Sequence, residues 1–492
     1  MKIGFDKDKY IELQSKNIRK RIEQFDNKLY LEFGGKLFDD YHASRVLPGF
    51  EPDIKLRLLM ELSQEIEIII TINAKDIEKN KVRGDLGITY DIELLRLIDC
   101  FEKYGLYVGS VVITQYTGQP GADLFKERLT NLGIDVYTHY IIEDYPSDIM
   151  NIVSEKGFGK NEYIKTTKPL IVVTAPGPGS GKMATCLSQL YHDQKRGIRA
   201  GYAKFETFPI WNLSLKHPIN LAYEAATADL NDINMIDPYH LEHYGETVVS
   251  YNRDVEIFPV LKAMFEMIYG SSPYYSPTDM GVNMVGFCIS DDEVCREASK
   301  QEIIRRYYDA LNEYAKGRIN HSVVYRTELL MKQLQLSPED RPVVTAAMKR
   351  ADETGFAAAA MELSDCHIIT GKTSDLLGPS AALILNALKY LAGIEDPVHL
   401  ISPEAIEPIQ KLKIDYLGSK NPRLHIDETL IALSISAAND EKAQLALDQI
   451  PKLKGAQVHI SAMLGSVDKK LFKKLGIQAT CESVFENKPI YI

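Results

Sequence analysis

An α/β fold is what this sequence predicts, and three observations predict it. Short β-branched runs alternate with helix-length amphipathic segments from residue 28 to 205, the pattern of a mostly parallel sheet with flanking helices. Long amphipathic stretches replace the strand signal in the middle of the chain. Alternation then resumes toward the C-terminal end. The expected architecture is an N-terminal α/β domain of P-loop or Rossmann-like type over residues 1–211, a mainly helical region over 212–353 and a C-terminal α/β domain over 354–492.

The strands expected in the first domain are Leu29–Phe33, Ile66–Ile72, Leu106–Thr114, Ile134–Ile141, Leu170–Thr174 and Arg199–Phe205, each an apolar run bounded by turn residues. Helices are expected between them at Tyr90–Tyr104, Pro120–Leu132 and Lys182–Arg196. In the middle region, Ile257–Tyr269 and Asp291–Tyr314 read as helices, separated by the turn-rich segment from Gly270 to Gly281. After a helix over Pro338–Thr354, the runs FAAAAMEL and CHIIT flank Ser364-Asp365 and predict a hairpin. The βα alternation then continues through Ala381–Leu391, Thr429–Ser436, Val458–Met463 and Lys469–Leu475.

Composition bounds the function. A chain of 492 residues exceeds what one core usually serves and suggests about two to three domains. With 45% hydrophobic and 25% charged residues the chain is expected to fold throughout, which excludes disordered, collagen-like and disulfide-scaffold classes. Lys and Arg total 57 against 68 for Asp and Glu, a net charge of −11 that works against a nonspecific hold on nucleic acid or anionic lipid. The chain shows no signal-peptide core and no apolar stretch long enough to span a membrane. Six scattered cysteines without a CxxC pair read as reduced thiols, so a cytoplasmic protein is expected, and a homo-oligomer is left open.

The sharpest chemical signal is IVVTAPGPGSGKMATCLSQLYHDQKRG, from Ile171 to Gly197: a strand, a glycine-rich turn, a lysine and a helix. Gly177, Gly179 and Gly181 would let backbone N–H groups turn toward a phosphate, the helix N-terminus adds positive potential, and Lys182 supplies a charge. The turn departs from a strict P-loop at Pro176, where a glycine belongs, and at Met183, where a magnesium-binding hydroxyl belongs. Ser180 or Thr185 is the candidate to replace that hydroxyl, and Glu206 is the nearest acid closing a strand. A second cluster, FGGKLFDDYHASR from Phe33 to Arg45, offers Lys36, Asp39, Asp40 and His42 after the first strand, where open α/β folds bind ligands. Asp39, Asp40 and His42 are the candidate catalytic residues. Lys81, Arg83, Asp85, Thr114, Gln115 and Gln119 follow other strands and could reach the same rim.

Weaker signals point elsewhere. His240 and His243 stand near Glu242 and several aspartates, but HExxH is absent and no resident metal is expected. The segment His367–Gly393 contains GKTS without the upstream glycine, so it reads as a turn or an anion site ahead of a helix opened by Pro379. No G-x-S-x-G elbow supports protease chemistry.

The blocks LYLEFGGKLFDDYHASRVLPGF, IVVTAPGPGSGKMATCLSQLYHD, FPIWNLSLKHPINLAYEAATADL and GKTSDLLGPSAALILNALK resemble an uncharacterised bacterial family, domain of unknown function 1846, over essentially the whole chain. The resemblance implies cytoplasmic proteins with an N-terminal and a C-terminal domain. Some members carry the label ATP-dependent peptidase, and the family brings no catalytic residues with it. The leading expectation is an enzyme that binds ATP or another phosphorylated small molecule, with magnesium, and transfers a phosphoryl group. The alternatives are a non-catalytic sensor or scaffold and a metal-assisted hydrolase at His240 and His243.

Overall fold

The structure, a computed structural model, describes residues 2–485 apart from Lys36, Asp39 and Asp85. The strands in chain order are β1 (Leu29–Phe33), β2 (Ile66–Asn73), β3 (Val82–Arg83), β4 (Ile88–Thr89), β5 (Val108–Tyr116), β6 (Val136–Tyr140), β7 (Leu170–Thr174), β8 (Gly201–Phe205), β9 (Asn234–Ile236), β10 (Val249–Tyr251), β11 (Gly281–Val282), β12 (Ala358–Glu362), β13 (Ile368–Lys372), β14 (Gln457–Ile460) and β15 (Gln478–Cys481). Two compact units emerge, one from residues 2–224 with 231–299, the other from 225–230 with 300–492.

The N-terminal unit is built on a seven-stranded sheet in the order β11-β8-β1-β7-β2-β5-β6, every neighbouring pair parallel. All six strands expected from sequence are present, and β2 reads IEIIITIN with every residue buried. A parallel sheet covered by helices on both faces needs apolar residues at consecutive positions, which explains why these runs do not alternate. Expected and observed helices agree at Tyr90–Lys103, Pro120–Asn131 and Lys182–Lys195. The sequence did not reveal the helix Lys7–Glu23, whose N-cap Asp6 accepts from Lys9 N, or the small ladders β3–β4 and β9–β10. Two-residue and three-residue strands carry too little periodicity to read.

Strand order fixes where a ligand can enter. From β1 the chain moves on to β2 and from β2 to β5, both toward the β6 edge, whereas from β7 it crosses to β8 and from β8 it continues to β11. The adjacent pairs β8/β1 and β7/β2 therefore send their connections in opposite directions, and open α/β sheets bind ligands at such points, beyond the carboxyl ends of the strands.

Register fixes which side chains share a face. Tyr30 aligns with Tyr202 and Glu32 with Lys204, while Phe33 aligns with Phe205 and stacks on it at 4.2 Å. Alternation puts the two sets on opposite faces. The helix Lys182–Lys195 covers the first face, where Gln189 Nε2 donates to Tyr30 Oη and Tyr30 Oη donates to Asp193. The helix Ile54–Glu61 brings Lys55 to the second face, its ammonium 6.0 Å from the Phe205 ring centroid.

The C-terminal unit carries a mixed sheet in the order β13-β12-β14-β15, with the expected hairpin as antiparallel β12–β13 and a parallel β14–β15 pair. Ala381–Leu391, Thr429–Ser436 and Lys469–Lys474 lie in helices, and Val458 opens the run that contributes to β14. Buried Arg341 ties this sheet together, donating to Thr480 Oγ1, Gln457 Oε1 and the carbonyls of Val458 and Gln478. Among the described residues no helix is long and apolar enough to cross a membrane, and the six cysteines are all free thiols.

Candidate functional site

The turn between β7 and the helix Lys182–Lys195 lies at the carboxyl end of the large sheet, beside β2. Its shape follows from its composition. Gly179 and Gly181 both take left-handed backbone, φ +74° and +85°, around a buried Ser180. A side chain at Gly181 would also meet the Thr114 side chain at 3.1 Å, so glycine is required there twice over.

Neighbouring strands hold the turn from behind. Asn73 Nδ2 donates to Gly179 O at 3.2 Å, Thr114 Oγ1 to Ser180 O at 2.7 Å, and Thr71 Oγ1 to Ser180 Oγ at 3.3 Å. Carbonyls of the turn are thus engaged on the protein side, while the N–H groups of Gly177, Gly179, Ser180 and Gly181 donate to no acceptor among the described residues. Alternating left-handed glycines of this kind form anion-binding concavities. Lys182 opens the helix, half-buried, and its ammonium has no ion-pair or hydrogen-bond partner among the described residues.

The remaining expected residues distribute as follows. Thr185 is fully buried and its hydroxyl meets His139 Nδ1 at 3.5 Å, away from the turn. Burial pushes His139 down to about 4, so the ring is neutral near pH 7. Gln115 sits at φ +51°, where the β5–β6 register shifts beside the turn. Lys81 pairs with Asp76 at 3.2 Å, its ammonium 5.0 Å from the Tyr90 ring; Arg83 pairs with buried Glu93; and Gln119 Oε1 accepts from Thr117 N.

Asp40 stands near the opposite face of the sheet. It caps the short helix Tyr41–Val46 through Ala43 N and pairs with Lys55 at 2.7 Å, a lysine with only 2% of its side chain exposed. Burial alone would raise the Asp40 carboxyl, but Lys55, the Ala43 N–H and His42 together bring it below its ordinary value. His42 packs edge-on against Phe208, which stacks on Tyr223. Lys36, Asp39 and Asp85 lie outside the described residues.

The Asp40 geometry carries a pH prediction. A carboxyl lowered in the folded state contributes stability that is fully present above its unfolded pKa of about 3.9 and is lost as pH falls through the lowered native value. Urea midpoints followed from about pH 5 to pH 2 are expected to fall less steeply in Asp40→Asn than in wild type. Parallel curves would show that the pair adds no pH-dependent stability.

A second polar cluster stands at the same end of the sheet, and the sequence pointed to only one of its members, Glu206, as the acid closing a strand. Lys204 of β8 donates to both oxygens of Asp254 at 2.6 and 2.8 Å, to Tyr251 Oη at 2.8 Å, and pairs with Glu206 at 2.9 Å. Tyr251 Oη donates to Glu206 Oε1, and Tyr202 Oη to Glu32 Oε2 at 2.6 Å. Burial, together with the Asp254 charge, raises Glu206 to about 7 despite the lowering pull of Lys204 and Tyr251. A further signal in the sequence is the lysine inside the apolar strand GYAKF, which needs a charged partner when buried.

Other candidates organise structure. His240 Nδ1 meets the fully buried Ser276 hydroxyl at 2.9 Å, which also caps the helix Pro277–Met280, and His243 stacks on Tyr275 at 3.8 Å. Among the described residues no group of three or more His, Cys, Asp or Glu side chains is arranged to hold a metal ion.

Two family models match this chain: "Domain of unknown function DUF1846, N-terminal" over residues 3–335, and its C-terminal counterpart over residues 339–491. A UPF0371 protein of Streptococcus thermophilus is 58% identical over 490 residues, covering 100% of this chain and 99% of the relative. A UPF0371 protein of Streptococcus uberis is 57% identical over 490 residues with the same coverage. One from Streptococcus pyogenes serotype M28 is 57% identical over 489 residues, 99% of each chain. None of these names states an activity.

Proposed function

Because this chain belongs to the DUF1846 family, whose description assigns no activity, we propose its function from the site itself: an enzyme that binds a nucleotide or another phosphorylated small molecule at the turn Gly177–Lys182. The observation that carries the reading is Lys182. A cation at the first position of a helix faces the positive end of the helix dipole, an arrangement unfavourable by about 0.3–1 kcal/mol. Lys182 is half-buried there without an acidic partner among the described residues, beside four N–H groups that also lack acceptors. A bound phosphate would reverse the unfavourable sign at every one of these groups.

Both hydroxyls named as magnesium ligands have partners inside the protein: Ser180 with Thr71, Thr185 with His139. The residues of the turn therefore do not fit a protein-held magnesium, and the ion would enter on the ligand's own phosphates. Magnesium is accordingly expected to tighten ATP by about tenfold or more, through bridging of its phosphate oxygens, and to leave inorganic phosphate unaffected. The same engagement favours a phosphate that anchors the ligand over one that is transferred.

Calorimetry with inorganic phosphate, ATP and ATP–magnesium tests the reading, alongside mass spectrometry of small molecules retained by the purified protein. Absence of any phosphate-dependent heat from folded protein would remove it. Binding without turnover of any retained ligand would favour the sensor instead.

A further inference from the structure

The C-terminal unit is layered. The helix Pro379–Leu391 lies on β12 and β13, and the helices Ile426–Ala437 and Glu441–Leu447 pack in turn on it and on each other. Ala432, Leu433, Ala443 and Ala446 turn their side chains into the core, so the opposite faces of these two outer helices look away from the unit. A helix in an outer layer normally carries charged residues on that face. The helix Ile426–Ala437 does not: its charges, Asp427 and Glu428, sit in the first turn, and TLIALSISA follows without another. Ile431 and Ile435, four residues apart on the outward face, and Leu445 of the neighbouring helix are each more than half exposed.

The apolar face continues past the start of that helix. Lys413, buried within the π-helical turn Leu412–Tyr416, donates to Glu428 at 2.7 Å and to the Arg423 carbonyl at 2.7 Å. With Lys413 turned inward, Leu412, Tyr416 and Leu417 turn outward, from 51% exposed at Leu412 to 82% at Tyr416. Glu428 stands one helical turn before Ile431, so the two apolar groups adjoin. Together the six side chains present roughly 700 Å² of apolar surface, against about 800 Å² contributed by each partner of a stable protein interface. Soluble monomers rarely expose a contiguous apolar patch beyond about 300–600 Å².

The rim of the patch identifies what covers it. Lys411 and Asp415 are exposed at the Leu412 end, and Asp440 and Lys442 are exposed at the other end, beyond Ile435. Each end therefore carries one charge of each sign. A two-fold axis between Ile431 and Ile435 lays two copies of the helix antiparallel and brings Lys411 to Asp440 and Asp415 to Lys442, each pair formed twice. A second copy of the chain supplies this match by symmetry alone.

We propose that two copies of this chain dimerise through this face, with Ile431 of one copy packed on Ile435 of the partner subunit, and Tyr416 and Leu417 covering Leu445 of the partner subunit. The proposal is independent of the phosphate reading, because the face lies in the C-terminal unit and the glycine-rich turn in the N-terminal one.

Sedimentation equilibrium of the full chain tests it. Wild type is expected to be dimeric at about 10 μM, within the range of interfaces of this size. Ile435→Asp would bury an unpaired carboxylate and is expected to weaken association by about a hundredfold or more. Its circular dichroism should match wild type, since Ile435 is 67% exposed and supports little of the unit's own core. Lys442→Asp sets like charges against Asp415 and should weaken association by about fivefold to tenfold; adding Asp415→Lys to the same chain should restore it. Monomeric wild type at about 50 μM overturns the proposal and leaves the face to a different protein. So does a dimer that survives Ile435→Asp, or a charge reversal at Lys442 that changes nothing or is not undone by Asp415→Lys.

Discussion

Replacing Asp193 by alanine is expected to lower the stability of the N-terminal unit by about 3 kcal/mol, the lower end of what breaking one partner of a buried ion pair costs. Asp193 is fully buried in the last turn of the helix Lys182–Lys195, where the helix dipole disfavours a negative charge. It is retained there because Lys28 Nζ meets one oxygen at 3.0 Å, Tyr30 Oη donates to the other at 2.8 Å, and Tyr163 Oη donates at 3.0 Å. Alanine strands the buried Tyr30 hydroxyl with only Gln189 as a partner and leaves the Lys28 ammonium to seek water. At about 2–4 °C per kcal/mol for a unit of this size, melting should fall by roughly 6–12 °C. Asp193→Asn keeps an acceptor for the tyrosines and should fall about half as far. A thermal scan in which Asp193→Ala melts with wild type would show that water replaces the carboxylate at no cost.

Lys182→Ala is expected to weaken binding of inorganic phosphate or a phosphorylated ligand by about 1.5–3 kcal/mol, the scale of a charge-assisted hydrogen bond, while leaving the fold intact. In affinity this is a loss of roughly tenfold to more than a hundredfold. The fold should tolerate the change because Lys182 has no ion-pair or hydrogen-bond partner to lose among the described residues and sits where a helix disfavours a cation; alanine should slightly stabilise the helix start. Opposite signs for stability and affinity separate a ligand-binding lysine from a structural one. Calorimetry and thermal melting on the same preparations read both, and equal phosphate affinity in the two proteins would sink the phosphate reading of the turn.

The sequence alone determined six of the seven strands of the N-terminal sheet, because each is an apolar run whose pattern is local, but not the two-residue edge strand β11, which lies in the stretch expected to be mainly helical. It located the glycine-rich turn, because left-handed backbone between a strand and a helix asks for glycine at Gly179 and Gly181. It also determined the C-terminal hairpin, where two apolar runs flank a short polar turn. It could not tell that Asp40 is bound to a buried lysine fifteen positions on, or that the Thr185 hydroxyl turns inward from its helix to a histidine on β6. It gave no sign that Tyr251 and Asp254 would close around Lys204 and Glu206, nearly fifty residues earlier. Strand order and register decided those meetings. Parity along a strand assigns each side chain to a face, but which neighbour supplies the facing charge depends on how distant segments pack, and the raised Glu206 carboxyl follows from its burial and the Asp254 charge that this packing brings to it. Local patterns are written in consecutive residues; a shared proton or a shared phosphate needs groups that only the folded sheet brings within about 3 Å of one another.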